Sequence, residues 1–192
     1  MLMKRLIMVV LASFMMSSAW AQFSYGLKAG INRNRLLGVP NNSYLSKPNL
    51  GFHIGIYANF ILTDNLSVTP EFQYIRKGDS DAFLHFNYLE IPILLEYKLA
   101  KDLSIQLGPS IGQKIWTYRN PGPGANGITF STYDTDIDLG ITGGLKVRIN
   151  EKVSILCRYN QGLLPYFRFG EIGNFNTYTE SMQLSVSYQL KK

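Results

Sequence analysis

The chain has one cysteine, Cys157, in 192 residues, so no disulfide can form within it. Charge is also scarce: Asp, Glu, Lys and Arg make up 17% of the residues, against about a quarter in an ordinary soluble domain. Low charge with 13% aromatics excludes a disordered chain, which needs the reverse balance. Beyond the first sixteen residues no apolar run approaches the roughly 20 residues that carry a helix across a bilayer. With a mean hydropathy of −0.02, a bundle of spanning helices is excluded too. A chain poor in charge, yet not hydrophobic on average, must segregate its polar and apolar residues in some other way.

The first segment differs from the rest. Lys4 and Arg5 precede an apolar run from Leu6 to Met16, and Ala19-Trp20-Ala21 places small residues where signal peptidase reads them. This order predicts a signal peptide over residues 1–21, with one domain over residues 22–192. Two of the nineteen cations fall in residues 1–21, which leaves seventeen against thirteen acids, a net charge of +4. That excess is not gathered into a stripe, so no nucleic-acid partner is expected.

The remainder alternates with period two, as strands with one apolar face do. Phe23, Tyr25, Leu27, Ala29 and Ile31 share one parity, and seven further sets follow: Phe52–Phe60, Leu66–Tyr74, Leu89–Tyr97, Leu103–Ile111, Ile137–Ile149, Val153–Tyr159 and Met182–Leu190. Several reach the 9–11 residues that span a membrane when tilted. Pro70, Pro92 and Pro109 interrupt them, each predicting a bulge or a missing ladder bond. A repeat separates the sets. Leu62-Thr63-Asp64-Asn65-Leu66-Ser67-Val68 resembles Leu99-Ala100-Lys101-Asp102-Leu103-Ser104-Ile105 and Ile149-Asn150-Glu151-Lys152-Val153-Ser154-Ile155. These tight turns alternate with longer connections over Asn32–Asn49, Arg76–Phe83, Tyr118–Tyr133 and Asn160–Thr177. Short turns at one end and long loops at the other are the asymmetry of an outer-membrane barrel, with the turns and both termini in the periplasm.

The apolar parity contains no Asp, Glu, Lys or Arg. The opposite parity carries Lys28, Glu71, Glu90, Glu96, Asp138, Lys146, Arg148 and Arg158, four of each sign. A soluble barrel has apolar residues inside and charges outside. A lipid-embedded one reverses this, because Lys or Arg facing lipid at midplane costs about 2–4 kcal/mol. Eight strands enclose an interior just wide enough for side chains to fill. The eight charged residues are therefore expected to form a paired network in a filled lumen. Aromatics at the strand ends, Phe60, Tyr97 and Tyr188 on one side and Phe72, Tyr74 and Tyr159 on the other, fit interfacial girdles.

Chemistry-bearing motifs are few. His53 falls on the lumen parity and His85 near an outer loop; a lone histidine is more often structural than catalytic. Asp79 and Asp81, and Asp134, Asp136 and Asp138, lack the ligand spacing of a calcium loop. No metal, cofactor or catalytic residue is expected. The outer loops are the remaining place for recognition. Arg33, Arg35 and Lys47 in the first are candidates for lipopolysaccharide phosphates. Tyr166, Phe167, Arg168 and Phe169 in the fourth are candidates for a protein partner.

Tyr88-Leu89-Glu90-Ile91-Pro92-Ile93-Leu94-Leu95-Glu96-Tyr97 resembles the fourth-strand signature of the small PorT-like outer-membrane β-barrel proteins of the Bacteroidota. Leu107-Gly108-Pro109-Ser110-Ile111-Gly112, Asp138-Leu139-Gly140, Arg158-Tyr159-Asn160-Gln161-Gly162-Leu163 and Gly26-Leu27-Lys28-Ala29-Gly30 match the same pattern across nearly the whole chain after residue 21. The resemblance implies a porin-like outer-membrane barrel, one member type of which is linked to type IX secretion and gliding motility.

The expectation is therefore all-β: an eight-stranded antiparallel up-and-down transmembrane β-barrel in the outer membrane, exported by its signal peptide. Its leading role is structural, or an interaction through its outer loops with outer-membrane lipid, lipopolysaccharide or a protein. A PorT-like part in secretion or gliding machinery is the alternative, and a lipid A-modifying enzyme the third.

Overall fold

The computed structural model describes residues 23–37, 48–79, 84–119, 136–164, 167–169 and 175–191. Among them are nine strands and no helix: β1 (Phe23–Leu37), β2 (Asn49–Ile61), β3 (Leu66–Asp79), β4 (Leu84–Ala100), β5 (Leu103–Arg119), β6 (Ile137–Arg148), β7 (Val153–Gly162), β8 (Phe167–Phe169) and β9 (Phe175–Lys191). Each of β1 to β6 pairs antiparallel with the next, β7 pairs with β9, and β9 returns to β1. Eight strands thus close a barrel. The three-residue β8 pairs with β9 alone, Phe167 opposite Thr177 and Phe169 opposite Phe175.

The register fixes the size of the barrel. Opposite partners run from Phe23 to Phe60, Val68, Leu95, Leu107, Gly143, Tyr159 and Met182, and return to β1 at Arg33. The circuit closes ten residues above its start. With about 3.3 Å per residue and about 4.8 Å between strands, that stagger tilts the strands by about 40° and sets the backbone radius at about 8 Å.

The turns explain the repeat. Between β2 and β3 the amides of Leu62 and Thr63 donate to the Leu66 carbonyl, and the Thr63 hydroxyl accepts from the Leu66 amide at 3.1 Å. Between β6 and β7 the amides of Ile149 and Asn150 donate to the Val153 carbonyl, and Asn150 Oδ1 accepts from Lys152 and Val153 at 2.9 and 2.8 Å. The third copy has Ala100 where these have Thr63 and Asn150. Without a side-chain acceptor it closes differently, with a register shift between Lys98 and Ala100. The prolines cause no such shift. Pro70 lies opposite Ile93 and Gln73 opposite Glu90, so the register is the same on both sides. The same holds from Pro92 opposite Ser110 to Leu95 opposite Leu107. Each proline removes a donor from the ladder and leaves the strand in line.

The strands run further at the outer end than their apolar alternation does. β1 continues to Leu37, β3 to Asp79 and β5 to Arg119. Three of the long connections are shorter than expected as a result. Arg33 and Arg35 are strand residues of β1, not loop residues. Arg168, with Phe167 and Phe169, lies in β8. Lys47, Tyr166, Asp81, Asp134 and the signal segment lie outside the described residues.

Candidate functional site

Parity assigns the two faces as expected. Leu27, Ile31, Ile54, Ile56, Leu107, Ile141, Leu184 and Val186 are all exposed to the surroundings of the barrel. Lys28, Glu71, Glu90, Glu96, Asp138 and Arg158 are buried inside it. Only a polar interior with an apolar exterior places six charged residues at 7% exposure or less while leucines and isoleucines stand open.

Inside, the charges pair. Arg158 on β7 grips Glu71 on β3 with two parallel bonds of 2.8 and 2.7 Å. Those strands are four apart in a barrel of eight, so this pair crosses the whole lumen. The forked guanidinium suits the reach, since it presents two donors in fixed geometry to both carboxylate oxygens. Lys28 on β1 donates to the same carboxylate. Arg158 Nε continues the chain to Gln106 at 2.9 Å, and Gln106 donates to Glu96 at 2.7 Å. Glu96 also accepts from Lys146 at 3.1 Å.

A second network lies toward the outer end. Lys77 bridges Glu90 at 2.9 Å and Asp138 at 3.1 Å, with its ammonium 5.2 Å from the Tyr88 ring centre. Gln73 donates to Glu90 at 3.0 Å, and Thr179 donates to Asp138 at 3.0 Å. Seven of the eight predicted lumen charges join these two networks. Arg148 does not. It has lumen parity but is exposed at the turn end, where it lines a cavity of about 910 Å³ with Tyr57, Asn59, Lys98 and Lys146. Lys77 takes its place in the charge balance, so the paired set still has four cations and four anions. Lys77 was absent from the predicted set because the apolar alternation of β3 ends at Tyr74, three residues short of it. Apolar side chains complete the filling: Leu94, Ile75, Leu156 and Tyr88 are at most 2% exposed inside the barrel.

His53 is buried on the lumen side with an ordered set of partners. Asn32 Nδ2 donates to the Arg76 carbonyl at 2.8 Å and to Asn34 at 3.0 Å, which turns Asn32 Oδ1 toward His53 Nδ1 at 3.4 Å. Nδ1 therefore holds the imidazole proton, and Nε2 accepts from the Ser185 hydroxyl at 2.7 Å. A serine, a base and an orienting amide are in the order that nucleophilic catalysis uses. Their surroundings are not. Ser185 is 2% exposed and His53 1%, leaving no room for an acyl group beside the hydroxyl. Gly30 is required next to them, because a Cβ there would lie 2.7 Å from Ser185 Cα and 2.9 Å from His53 Cε1. Among the described residues no three His, Cys, Asp or Glu side chains are grouped to hold a metal ion.

On the outside, aromatic rings mark two levels. Phe23 contacts Tyr25 and Phe60 at the turn end. Phe52, Tyr74 and Trp116 form a chain of ring contacts toward the outer end. Phe60 and Tyr74 thus stand where girdle residues were expected. Tyr74 also donates to Asn87 at 2.5 Å, and the Tyr159 hydroxyl to Gln161 at 2.8 Å.

A family model described as "Outer membrane protein beta-barrel domain" matches residues 16–168. No curated protein matches the chain. Among solved structures, the attachment invasion locus protein Ail of Yersinia pestis superposes with a TM-score of 0.50 at 11% identity, over 88% of this chain and 99% of that one. Neisserial surface protein A superposes with a TM-score of 0.53 at 11% identity, over 87% and 98%. At such identity the likeness is one of fold.

Proposed function

Because the chain belongs to the outer membrane protein beta-barrel domain family, we propose that it is a non-conducting barrel of the outer membrane with a structural or interaction role. The observation that supports this is the Arg158–Glu71 pair across the full lumen diameter, backed by Lys28 and Gln106. Unpaired buried charges are costly, so such a network resists rearrangement for a passing solute. Its equal count of signs also gives no preference for one sign of ion. The outer ends of the strands, which continue past the apolar zone, are then the surface for contacts. Residues 1–21 direct export in this reading.

The PorT-like signature is accounted for by the same interior. Glu90 and Glu96 each anchor one network, and Tyr88 packs beneath Lys77. The signature thus describes how a lumen is filled, and a secretion or gliding role needs its own test: deletion of the chain with secretion and gliding unchanged would remove it. The His53–Ser185 arrangement serves to fix two strands to each other, and an unaltered lipid A profile in the His53→Gln variant is expected. Reconstitution in planar bilayers tests the main reading. The wild-type barrel should give no steps above the leak, and large stable conductance would overturn it.

A further inference from the structure

At the outer ends of the barrel strands, among the described residues, β1 places Arg33 and Arg35, β3 places Arg76 and β9 places Glu180 on the outward parity. Arg35 pairs with Glu180 at 3.0 Å, and among the described residues no acid pairs with Arg33 or Arg76. The two are close. The Asn32 side chain, one residue before Arg33, donates to the Arg76 carbonyl at 2.8 Å. Only β2 separates their strands, so about 10 Å separates their backbones. Between them β2 presents Leu50, 74% exposed and opposite Arg33, and then Phe52.

Their depth identifies the environment. Arg33 stands ten residues above Phe23, the first residue of β1, and Arg76 ten residues above Leu66, the first of β3. Ten residues in strands tilted by about 40° climb about 25 Å, the height of a barrel's apolar band. Both guanidinium groups therefore reach the headgroup level of the outer leaflet, just past the Phe52–Tyr74–Trp116 rings. An arginine there gives up little solvation and meets phosphate with its two-pronged donor set.

We propose that Arg33 and Arg76, with Leu50 and Phe52 between them, form a binding site for a phosphorylated glycolipid of the outer leaflet. The arginines hold phosphate groups, and the apolar pair lies along the first carbons of an acyl chain. The site deepens the interaction role proposed above, yet it is separable from the closed lumen. A conducting wild-type barrel would sink the latter and leave this binding measurement untouched.

The test uses the full mature chain refolded into phosphatidylcholine nanodiscs and titrated with lipid A. The Arg33→Gln/Arg76→Gln double variant should bind at least about tenfold more weakly, as expected for the loss of two charge-assisted contacts. Arg148→Gln, which removes the same charge type at the turn end, should bind as wild type. Lipid A stripped of phosphate should bind no better to wild type than to the double variant, and millimolar inorganic phosphate should not compete. Folding of each protein is checked by its heat-dependent gel migration; if the double variant fails it, the single Arg33→Gln variant takes its place with a partial loss expected. Equal affinity of wild type and the arginine variants would overturn the site. So would an equal loss in Arg148→Gln, undiminished binding of the dephosphorylated lipid, or displacement by free phosphate.

Discussion

At the scale of single residues, Glu71 holds the most exposed position energetically, although it is buried. It answers two cations at once, Arg158 and Lys28. Glu71→Ala leaves both without an anion, and removing one partner of a buried pair costs about 3–5 kcal/mol. Equilibrium unfolding in urea from lipid vesicles should show a loss of that size. Adding Arg158→Met to Glu71→Ala should restore part of it, because a neutral pair with a filled volume is less costly than an unanswered charge. Additive losses in the double variant would mean that the two side chains are not coupled. Alternation along the chain indicated that these residues share an interior, since charge on the other parity would have faced lipid. It did not indicate which of them meet. Glu71 and Arg158 are 87 positions apart, and their contact depends on a barrel stagger that only the ladder registers define.

At the scale of elements, turns and strands were legible to different degrees. The three repeated turns were visible as a pattern, and two of them share a mechanism through Thr63 and Asn150. Asn150→Ala removes the acceptor for two backbone amides, and should cost about 1 kcal/mol by the same unfolding measurement. Ala100 already lacks such an acceptor, so Ala100→Gly is expected to shift stability by less. Equal effects at the two turns would contradict the role given to the Asn150 side chain. The strands are a different case. Apolar alternation tracks contact with lipid, so it fades where a strand leaves the hydrocarbon. Lys77, Arg33 and Arg35 lie in those outer extensions, which is why the alternation stopped short of all three. Arg148 shows the converse: parity tells which face a side chain takes and says nothing of depth. It shares the lumen face with Lys146, two positions away, but stands at the open rim. β8, at three residues, is too short for any period to register.

At the scale of the whole molecule, the eight-stranded closure, the ten-residue stagger and the charge pairs determine together what the barrel can pass. A backbone radius of about 8 Å leaves a narrow tube once side chains are placed. Across its middle, the diameter is taken up by Arg158 and Glu71, with Leu94 and Leu156 buried inside the same barrel. Around that plug the walls are polar. Gln183, opposite Arg158 on β9, has both side-chain polar atoms buried without a hydrogen-bond partner among the described residues, as has the Ser181 hydroxyl. Beyond it, the turn end widens into the cavity lined by Lys98, Lys146 and Arg148. If the crossing pair is the barrier, shortening both of its members should open a water path without changing the fold or the net charge. The Glu71→Ala/Arg158→Ala variant is therefore expected to give small, stable conductance steps in planar bilayers where the wild type gives none, with unchanged heat-dependent gel migration. Steps should also appear when Glu71→Ala/Arg158→Ala is joined to Arg148→Gln, since that residue stands at the rim. A folded double variant as silent as the wild type would place the barrier elsewhere, at the second network around Lys77 and Tyr88.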